Sequence, residues 1–211
     1  MAKLNFSKKE ALSYGYKTTW ENLKFFIILL VIAGVVYGVS SAIKTSIINS
    51  TNSFGPVVAI VTILVWILDL ILEMGMIRIS LDFVENKKTN YKRLFYTNSL
   101  FNYFVVTIIK SVVVLIGFIF LIVPGIILSI KLQYATYFVI DKNLGIGDSL
   151  KKSWALTKGI KWNLFLFGLL IGLINIGGAI LILIGLLFTI PLTLLANAFV
   201  FRKLLSQQET K

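Results

Sequence analysis

The chain contains neither cysteine nor histidine among its 211 residues. Without cysteine there are no disulfides and no thiolate chemistry, and without histidine the commonest general base and a frequent metal ligand are missing. Acidic residues are scarce as well, with 9 Asp and Glu against 21 Lys and Arg. These absences predict a protein that has no catalytic residues, no metal site and no cofactor, and that is not an enzyme.

Apolar residues are abundant instead, since 57% of the chain is hydrophobic, only 14% is charged and the mean hydropathy is +0.89. Water-soluble domains of ordinary composition are far less apolar, so this composition predicts a membrane protein. The basic excess could suggest nucleic acid, but a DNA-binding domain would not carry apolar runs of about 20 residues. We therefore expect membrane lipids as partners, especially anionic inner-leaflet headgroups, and no nucleic acid.

Six apolar runs are long enough to cross about 30 Å of hydrocarbon. The last four form two unbroken stretches of about 40 residues, too long for one crossing each and suited to two. The sequence therefore predicts an all-α polytopic membrane protein, a single domain over residues 1–211, with six transmembrane helices in three hairpins. Each hairpin follows a basic amphipathic interfacial segment. The expected spans are roughly 25–43, 57–81, 100–122, 124–140, 162–183 and 185–202.

The hairpin turns are expected where the helix is easiest to interrupt. In the second hairpin the predicted turn is Pro124 and Gly125, because proline does not continue a helix cleanly and glycine tolerates the backbone angles of a tight reversal. In the third hairpin the candidates are Gly177, Gly178 and Gly185.

Lysine and arginine are concentrated at one end of the predicted hairpins. The loops at the opposite end hold one lysine, Lys44. By the positive-inside rule, this distribution predicts that both termini are cytoplasmic. The first apolar run begins near Phe25, behind five lysines, and is expected to be a retained span and not a signal peptide.

Two basic segments have the pattern of amphipathic helices at a membrane surface. Residues 7–10, SKKE, have the form of a helix capping box, and Tyr16 and Trp20 follow at helical spacing. Residues 146–159, IGDSLKKSWALTKG, repeat the arrangement, with Trp154 on the apolar face. The alternative to lipid recognition is that these lysines only fix topology and anchor the chain. The predicted contacts with anionic lipid are Lys8, Lys9, Lys17, Lys151, Lys152 and Lys158.

Four charged residues fall deep inside the predicted spans, far from their ends, namely Asp69, Glu73, Lys110 and Lys131. Counted at about 1.5 Å per residue from the basic ends, they share a layer about 13 to 20 Å deep. An unpaired charge there costs about 2.5 to 3.5 kcal/mol, so we predict that the lysines are counter-ions of the acids inside the bundle. The alternative is that the lysines snorkel to the headgroups. Gln133 and Asn175 are further polar residues expected to line the interior.

Such a charged cluster has two interpretations. It is either a structural lock that specifies which helices are neighbours, or a site for protons, ions or a charged headgroup. The sequence leaves both open.

Three stretches carry a resemblance to a known group of proteins. They are MGMIRISLDFVENKK at 74–88, residues 121–159 with Pro124, Gly125 and the SWALTKG sequence, and residues 184–204 around Pro191. These stretches resemble uncharacterised bacterial six-span membrane proteins related to the membrane domain of some glycerophosphoryl diester phosphodiesterases. The resemblance implies a helical bacterial inner-membrane fold with no assigned activity, and it does not include Asp69 or Glu73.

The sequence favours a non-enzymatic integral membrane protein that acts through lipid or protein contacts, in an accessory, assembly, immunity or envelope-maintenance role. The alternative is a small transporter, channel or lipid-moving protein that uses the charged cluster. An intramembrane enzyme is the third interpretation, but Asp69 and Glu73 beside lysines make a poor aspartic dyad. Gly168 and Gly172, spaced as G-x-x-x-G, leave a homo-oligomer or a membrane-protein partner open.

Overall fold

The computed structural model describes residues 4–51, 55–181 and 185–209, and every regular element within them is helical. A 3-10 helix, Tyr91–Phe95, lies between the third and fourth α-helices. The α-helices are α1 Lys8–Glu21, α2 Leu23–Thr51, α3 Pro56–Val84, α4 Leu100–Phe120, α5 Ile122–Leu132, α6 Ala135–Lys142, α7 Ile146–Leu156, α8 Lys161–Ile180 and α9 Leu186–Glu209.

Six helical segments of the described chain are long and apolar enough to cross a membrane. Many of their large apolar side chains are exposed, as is required of helices that face lipid. The prediction of an all-α polytopic membrane protein is therefore confirmed. The predicted end of the fifth span, at 183, lies outside the described residues. The six segments are Leu23–Ile47, Pro56–Val84, Leu100–Phe120, Ile122–Lys142, Lys161–Ile180 and Leu186–Glu209.

The first helix, α1, packs against the last one, α9. Its start is capped as the sequence predicts, because the Ser7 hydroxyl accepts a hydrogen bond from the Glu10 N–H at 3.3 Å. Close packing follows from the absence of a side chain at Gly15, where a Cβ would lie 2.4 Å from the carbonyl oxygen of Leu192. The buried face of α1 is a strip of small residues, Ala11, Gly15 and Thr19.

Polar contacts hold the first half of α1 against the bundle. The Lys203 ammonium lies 2.6 Å from the Glu10 carboxylate at one end. Farther along, the Tyr14 hydroxyl donates to the carbonyl oxygen of Phe83 at 3.1 Å, and burial raises the pKa of Tyr14, so the phenol remains a neutral donor. The aromatic side chains predicted to share one face, Tyr16 and Trp20, are exposed on the outside of the molecule.

The fourth membrane segment is interrupted between α5 and α6. Gln133 and Tyr134 form a turn there, and the Ser153 hydroxyl of α7 forms hydrogen bonds with the backbone groups that the turn leaves unpaired. It accepts from the Tyr134 N–H at 3.2 Å and donates to the carbonyl oxygen of Lys131 at 2.8 Å. Ser153 is fully buried, so these two bonds satisfy backbone groups that water cannot reach.

The turn of the second hairpin lies at Leu121 and not at Pro124 and Gly125, which corrects the sequence prediction. Leu121 has extended backbone angles, φ −167° and ψ 153°, between the end of α4 and the start of α5. Pro124 and Gly125 belong to the first turns of α5, where proline is tolerated because the first N–H groups of a helix have no intrahelical acceptor. Gly125 instead allows close packing, since a Cβ there would lie 2.5 Å from the Phe118 ring.

Both later hairpins carry the same backbone hydrogen bonds near their tips, sixty residues apart in the sequence. The Leu121 N–H donates to Gly117 and the Gly125 N–H donates to Leu121, and the same pattern joins Leu181 to Gly177 and Gly185 to Leu181. The tip of the second hairpin is apolar and exposed, with Phe120 at 76% and Leu121 at 68%. Gly177, Gly178 and Gly185, the predicted candidates for the third turn, lie on either side of residues 182–184, which are outside the described chain.

Buried ion pairs join the helices at the end of the bundle where lysines and arginines are concentrated, called the basic end here. The fully buried Asp82 lies 3.4 Å from both Arg78 and Arg93, as ion pairs without aligned hydrogen bonds. Arg202 of α9 binds Asp141 through both carboxylate oxygens and also pairs with Glu85. These contacts connect α3, the 3-10 helix, α6 and α9.

Candidate functional site

The Lys131 side chain determines where the candidate site lies. Its ammonium sits 3.4 Å from the centre of the Trp154 indole of α7, a cation-π contact. Lys158 and Lys161 lie close enough to act electrostatically on it. Lys131 therefore lies beside the start of α8 and not deep in the interior of the bundle.

The predicted cluster of four charges is consequently wrong for Lys131. The ion pairs of the described residues include none between Lys131 and Asp69 or Glu73. The sequence count assumed one straight helix inward from the basic end. That assumption fails because the chain turns at Gln133 and Tyr134. Lys131 therefore belongs to α5, and the residues between it and the basic end form a separate helix, α6.

The other three predicted charges stay in one region of the bundle, where both Asp69 and Glu73 act electrostatically on Tyr37. Glu73 acts electrostatically on Lys110, and also on Tyr103 and Tyr137. Asp69 lies within electrostatic range of Lys44 instead. One of its carboxylate oxygens is buried without a hydrogen-bond partner. Glu73 itself is exposed on the protein surface. The structure thus brings Glu73 and Lys110 into one neighbourhood, although the two do not form a direct ion pair.

An apolar groove runs between α5 and α8 beside the three lysines, and we call it the basic groove. Its volume is about 220 Å³. The α8 side begins at Lys161, and Trp162 is 74% exposed at its rim. Its lining is otherwise apolar and consists of Val123, Ile126, Ile127, Ile130, Lys161, Trp162 and Phe165.

The three lysines at this groove have no acidic partner among the residues that the structure describes. No ion pair there involves Lys131, Lys158 or Lys161. Positive charges that lie near one another repel, and a ligand of opposite charge removes that cost. The arrangement can therefore hold an anion next to an apolar surface.

The remaining predicted lipid contacts lie in different surroundings. Lys8 and Lys9 line an open cleft between α1, α8 and α9. Lys17 forms a long, exposed pair with Glu21 at 3.9 Å. Lys151 and Lys152 are exposed on α7. Contact of these lysines with lipid stays a prediction.

The two interior polar residues have different roles. The Asn175 side-chain NH₂ donates to the Thr193 hydroxyl at 3.3 Å and so joins α8 to α9. The Gln133 side-chain nitrogen is buried without a hydrogen-bond partner, at the interruption of the fourth span. Asn175 thus acts in helix packing, whereas Gln133 lies beside the break.

Sequence reasoning missed the residues that organise the site. In the sequence, Ser153 is only the first residue of SWALTKG, and its hydrogen bonds to the turn at Gln133 and Tyr134 depend on tertiary structure. The buried face of α7 is Ser149, Ser153 and Leu156, whereas periodicity favoured the face that carries Trp154. Lys161 lies thirty residues after Lys131 in the sequence, and no local pattern links the two.

Together, the fold and the groove define a multi-pass helical membrane protein with unpaired cations beside an apolar surface. Residues 93–208 match the family model described as a domain of unknown function, DUF7847. This match covers more than half of the chain, so the chain belongs to that family. No curated protein and no solved structure matches the chain. These comparisons show no link to glycerophosphoryl diester phosphodiesterases.

Proposed function

We propose that this protein is a non-enzymatic integral membrane protein that acts by binding anionic phospholipids at its basic end. The observation that carries the proposal is the separation of two kinds of charge. Asp82 and Asp141 are used in buried ion pairs with arginines, and the partly exposed Glu85 pairs with Arg202 and Lys87. Lysines of α7 and of the segment before α8 are exposed and without acidic partners in the described chain.

Physical chemistry supports lipid headgroups as the partners of these lysines. Each lysine near an anionic membrane surface contributes about 1 kcal/mol to binding. Exposed aromatic side chains accompany them, with Trp154 and Trp162 at the same end of the molecule. Tryptophan favours the interface between headgroups and hydrocarbon, so the two residue types indicate one surface.

The proposal includes a location. We place the chain in a bacterial inner membrane with both termini in the cytoplasm, because the basic end then faces the side that the positive-inside rule requires. The relation to the membrane domain of glycerophosphoryl diester phosphodiesterases is part of the same proposal. It depends on the motif around Pro124, Gly125 and residues 153–159, and it carries no enzymatic activity with it.

The proposal is tested by lipid enrichment. The protein is placed in nanodiscs that contain equal amounts of dioleoyl phosphatidylglycerol and dioleoyl phosphatidylcholine, then extracted gently, and the lipids that remain bound are quantified. We expect phosphatidylglycerol to be enriched at least about threefold, with less enrichment in 1 M salt because the charges are screened. Equal retention of both lipids would contradict the proposal.

A second candidate function is transport that uses Glu73 and Lys110. It is favoured by the position of Glu73 within the membrane segment of α3, where Glu73 acts electrostatically on Lys110 and Tyr103 of α4 and on Tyr137 of α6. Charged groups at such depths often mark paths for protons or ions. In this view the pair would bind and release a small ion during passage.

The transport candidate is tested with Glu73→Gln and with the exchanged pair Glu73→Lys, Lys110→Glu in sealed vesicles. A structural pair should tolerate the exchange, whereas an ion path should lose flux in both variants. Flux of protons and alkali cations is measured with fluorescent indicators, and Glu21→Gln at the exposed end of α1 gives the matched control. Flux equal to that of empty vesicles for the unmodified protein would eliminate this candidate.

A further inference from the structure

We infer that the basic groove is a binding site for one anionic phospholipid, with the phosphate between Lys131, Lys158 and Lys161 and one acyl chain between α5 and α8. This inference rests on the proposed function and makes it specific. It names a single site and a single ligand class, whereas the proposed function requires only a general preference for anionic lipid.

The first argument is the charge at the mouth of the groove. Lys131 is anchored by its contact with Trp154, at 3.4 Å. It lies within electrostatic range of Lys158 and Lys161, and in the described chain no carboxylate pairs with any of the three. A phosphate diester between them would neutralise part of this charge and accept hydrogen bonds from ammonium groups.

The second argument is the shape and composition below the charges. The α5 wall runs from Ile130, next to Lys161, to Val123 near the hairpin tip. Seven residues of helix span about 10 Å, which is much of the depth of one leaflet of hydrocarbon. Apart from Lys161, the lining of the groove is apolar or aromatic.

Together these features select a phospholipid over other anions. A free phosphate would use the lysines but leave the apolar wall empty, and an acidic peptide would have to bury backbone polar groups against it. A phospholipid matches both parts because it carries its charge at one end and its chains at the other. The groove volume of about 220 Å³ suits part of one acyl chain.

The site is tested by native mass spectrometry of protein released from nanodiscs that contain dioleoyl phosphatidylglycerol. We expect one tightly bound lipid on the unmodified protein. The variant Lys131→Gln, Lys158→Gln, Lys161→Gln should bind it at least about tenfold more weakly, given about 1 kcal/mol per lysine. The control Lys24→Gln, Lys88→Gln, Lys92→Gln removes the same charge from exposed positions outside the groove and should retain the lipid.

A second variant tests the acyl groove with every charge left in place. Ile127→Trp fills the space between α5 and α8, and we expect it to weaken binding of the lipid about tenfold or more. Val112→Trp adds the same bulk at an exposed position of α4 outside the groove and should leave the lipid bound. Monodisperse elution and unchanged helical content confirm that each variant is folded.

The outcomes separate this site from the general proposal. If both groove variants keep the bound lipid while bulk phosphatidylglycerol enrichment persists, the site is wrong and the proposed function stands. If no protein shows enrichment, the proposed function fails as well. Equal retention of phosphatidylcholine by the unmodified protein would overturn the role of the lysines. Binding of soluble glycerol phosphate as tight as that of the whole lipid would overturn the role of the acyl groove.

Discussion

At the scale of single residues, Ser153 has an effect that its small size conceals. One hydroxyl group serves both a donor and an acceptor of the interrupted fourth span, at Tyr134 and Lys131. In a membrane protein, backbone groups without partners are costly because no water replaces them. Ser153 therefore makes an interruption tolerable that neither proline nor glycine causes.

Ser153→Ala should lower the free energy of unfolding by about 1–3 kcal/mol, because it leaves a buried N–H without a partner. Ser149→Ala is the matched control on the same buried face. The Ser149 hydroxyl makes only a weak bond to Leu144, at 3.4 Å, so we expect a loss below about 0.5 kcal/mol. Thermal unfolding in detergent compares the two, and equal losses would contradict the role given to Ser153.

Arg202 and Lys203 are neighbours with different expected effects. Arg202→Met leaves the nearly buried Asp141 without its cation, whereas Glu85 keeps its pair with Lys87, so we expect a loss of about 3–5 kcal/mol that comes from Asp141. Lys203→Met removes a partly exposed pair with Glu10 and should cost at most about 1 kcal/mol. Denaturant titration in mixed micelles measures both, and similar losses would show that the buried pairs do not stabilise the basic end.

At the scale of helices, the hairpin of α4 and α5 reaches less far from the basic end than the length of its apolar sequence suggests. Lys131 lies beside the start of α8, and ten residues separate it from the turn at Leu121. Ten residues of helix span about 15 Å, half of the hydrocarbon thickness of about 30 Å. We therefore expect the tip of this hairpin to lie near the middle of the membrane.

Spin labels test that depth directly, since the chain has no cysteine of its own. A label on Leu121→Cys should be more accessible to oxygen than to a polar nickel reagent, as in the bilayer centre. Lys44→Cys, near the end of α2 and beyond the apolar run predicted at 25–43, should show the reverse. A Leu121 label with the accessibility of an interfacial position would contradict the shallow hairpin.

The sequence predicted the helices well because apolar length is a local property. It failed at the fourth span, because the interruption at Gln133 depends on a serine from a later helix, and at the second turn, because Pro124 suits a helix start as well as a break. The basic groove was missed for a related reason. Lys131 and Lys161 are thirty residues apart, and no periodicity connects them.

At the scale of the whole molecule, both chain ends meet at the basic end. The Gln207 side chain donates to the carbonyl oxygen of Asn5 at 2.8 Å and accepts from its N–H at 3.0 Å. This arrangement agrees with an even number of crossings, which is six if every apolar segment crosses and four if the α4–α5 hairpin turns back inside the membrane. The direction of the bundle in the membrane was predicted only through the lysine distribution.

The orientation is tested by labelling single cysteines in intact cells with a maleimide that does not cross membranes. We expect Lys44→Cys to react from outside, because it lies near the end of α2 that is expected at the outer surface. Lys88→Cys, exposed beyond α3 at the basic end, should react only after the membrane is opened. The opposite pattern would invert the topology and move the basic groove to the outer leaflet.

The two hydrogen bonds of the Ser153 hydroxyl also constrain how the protein is inserted and assembled. The backbone of the fourth span is complete only when a residue nineteen positions later reaches it. A nascent chain therefore cannot finish this segment while α7 is still inside the ribosome. The insertion machinery must hold the α4–α5 pair next to lipid until α7 docks, so synthesis and assembly of this half of the protein are coupled in time.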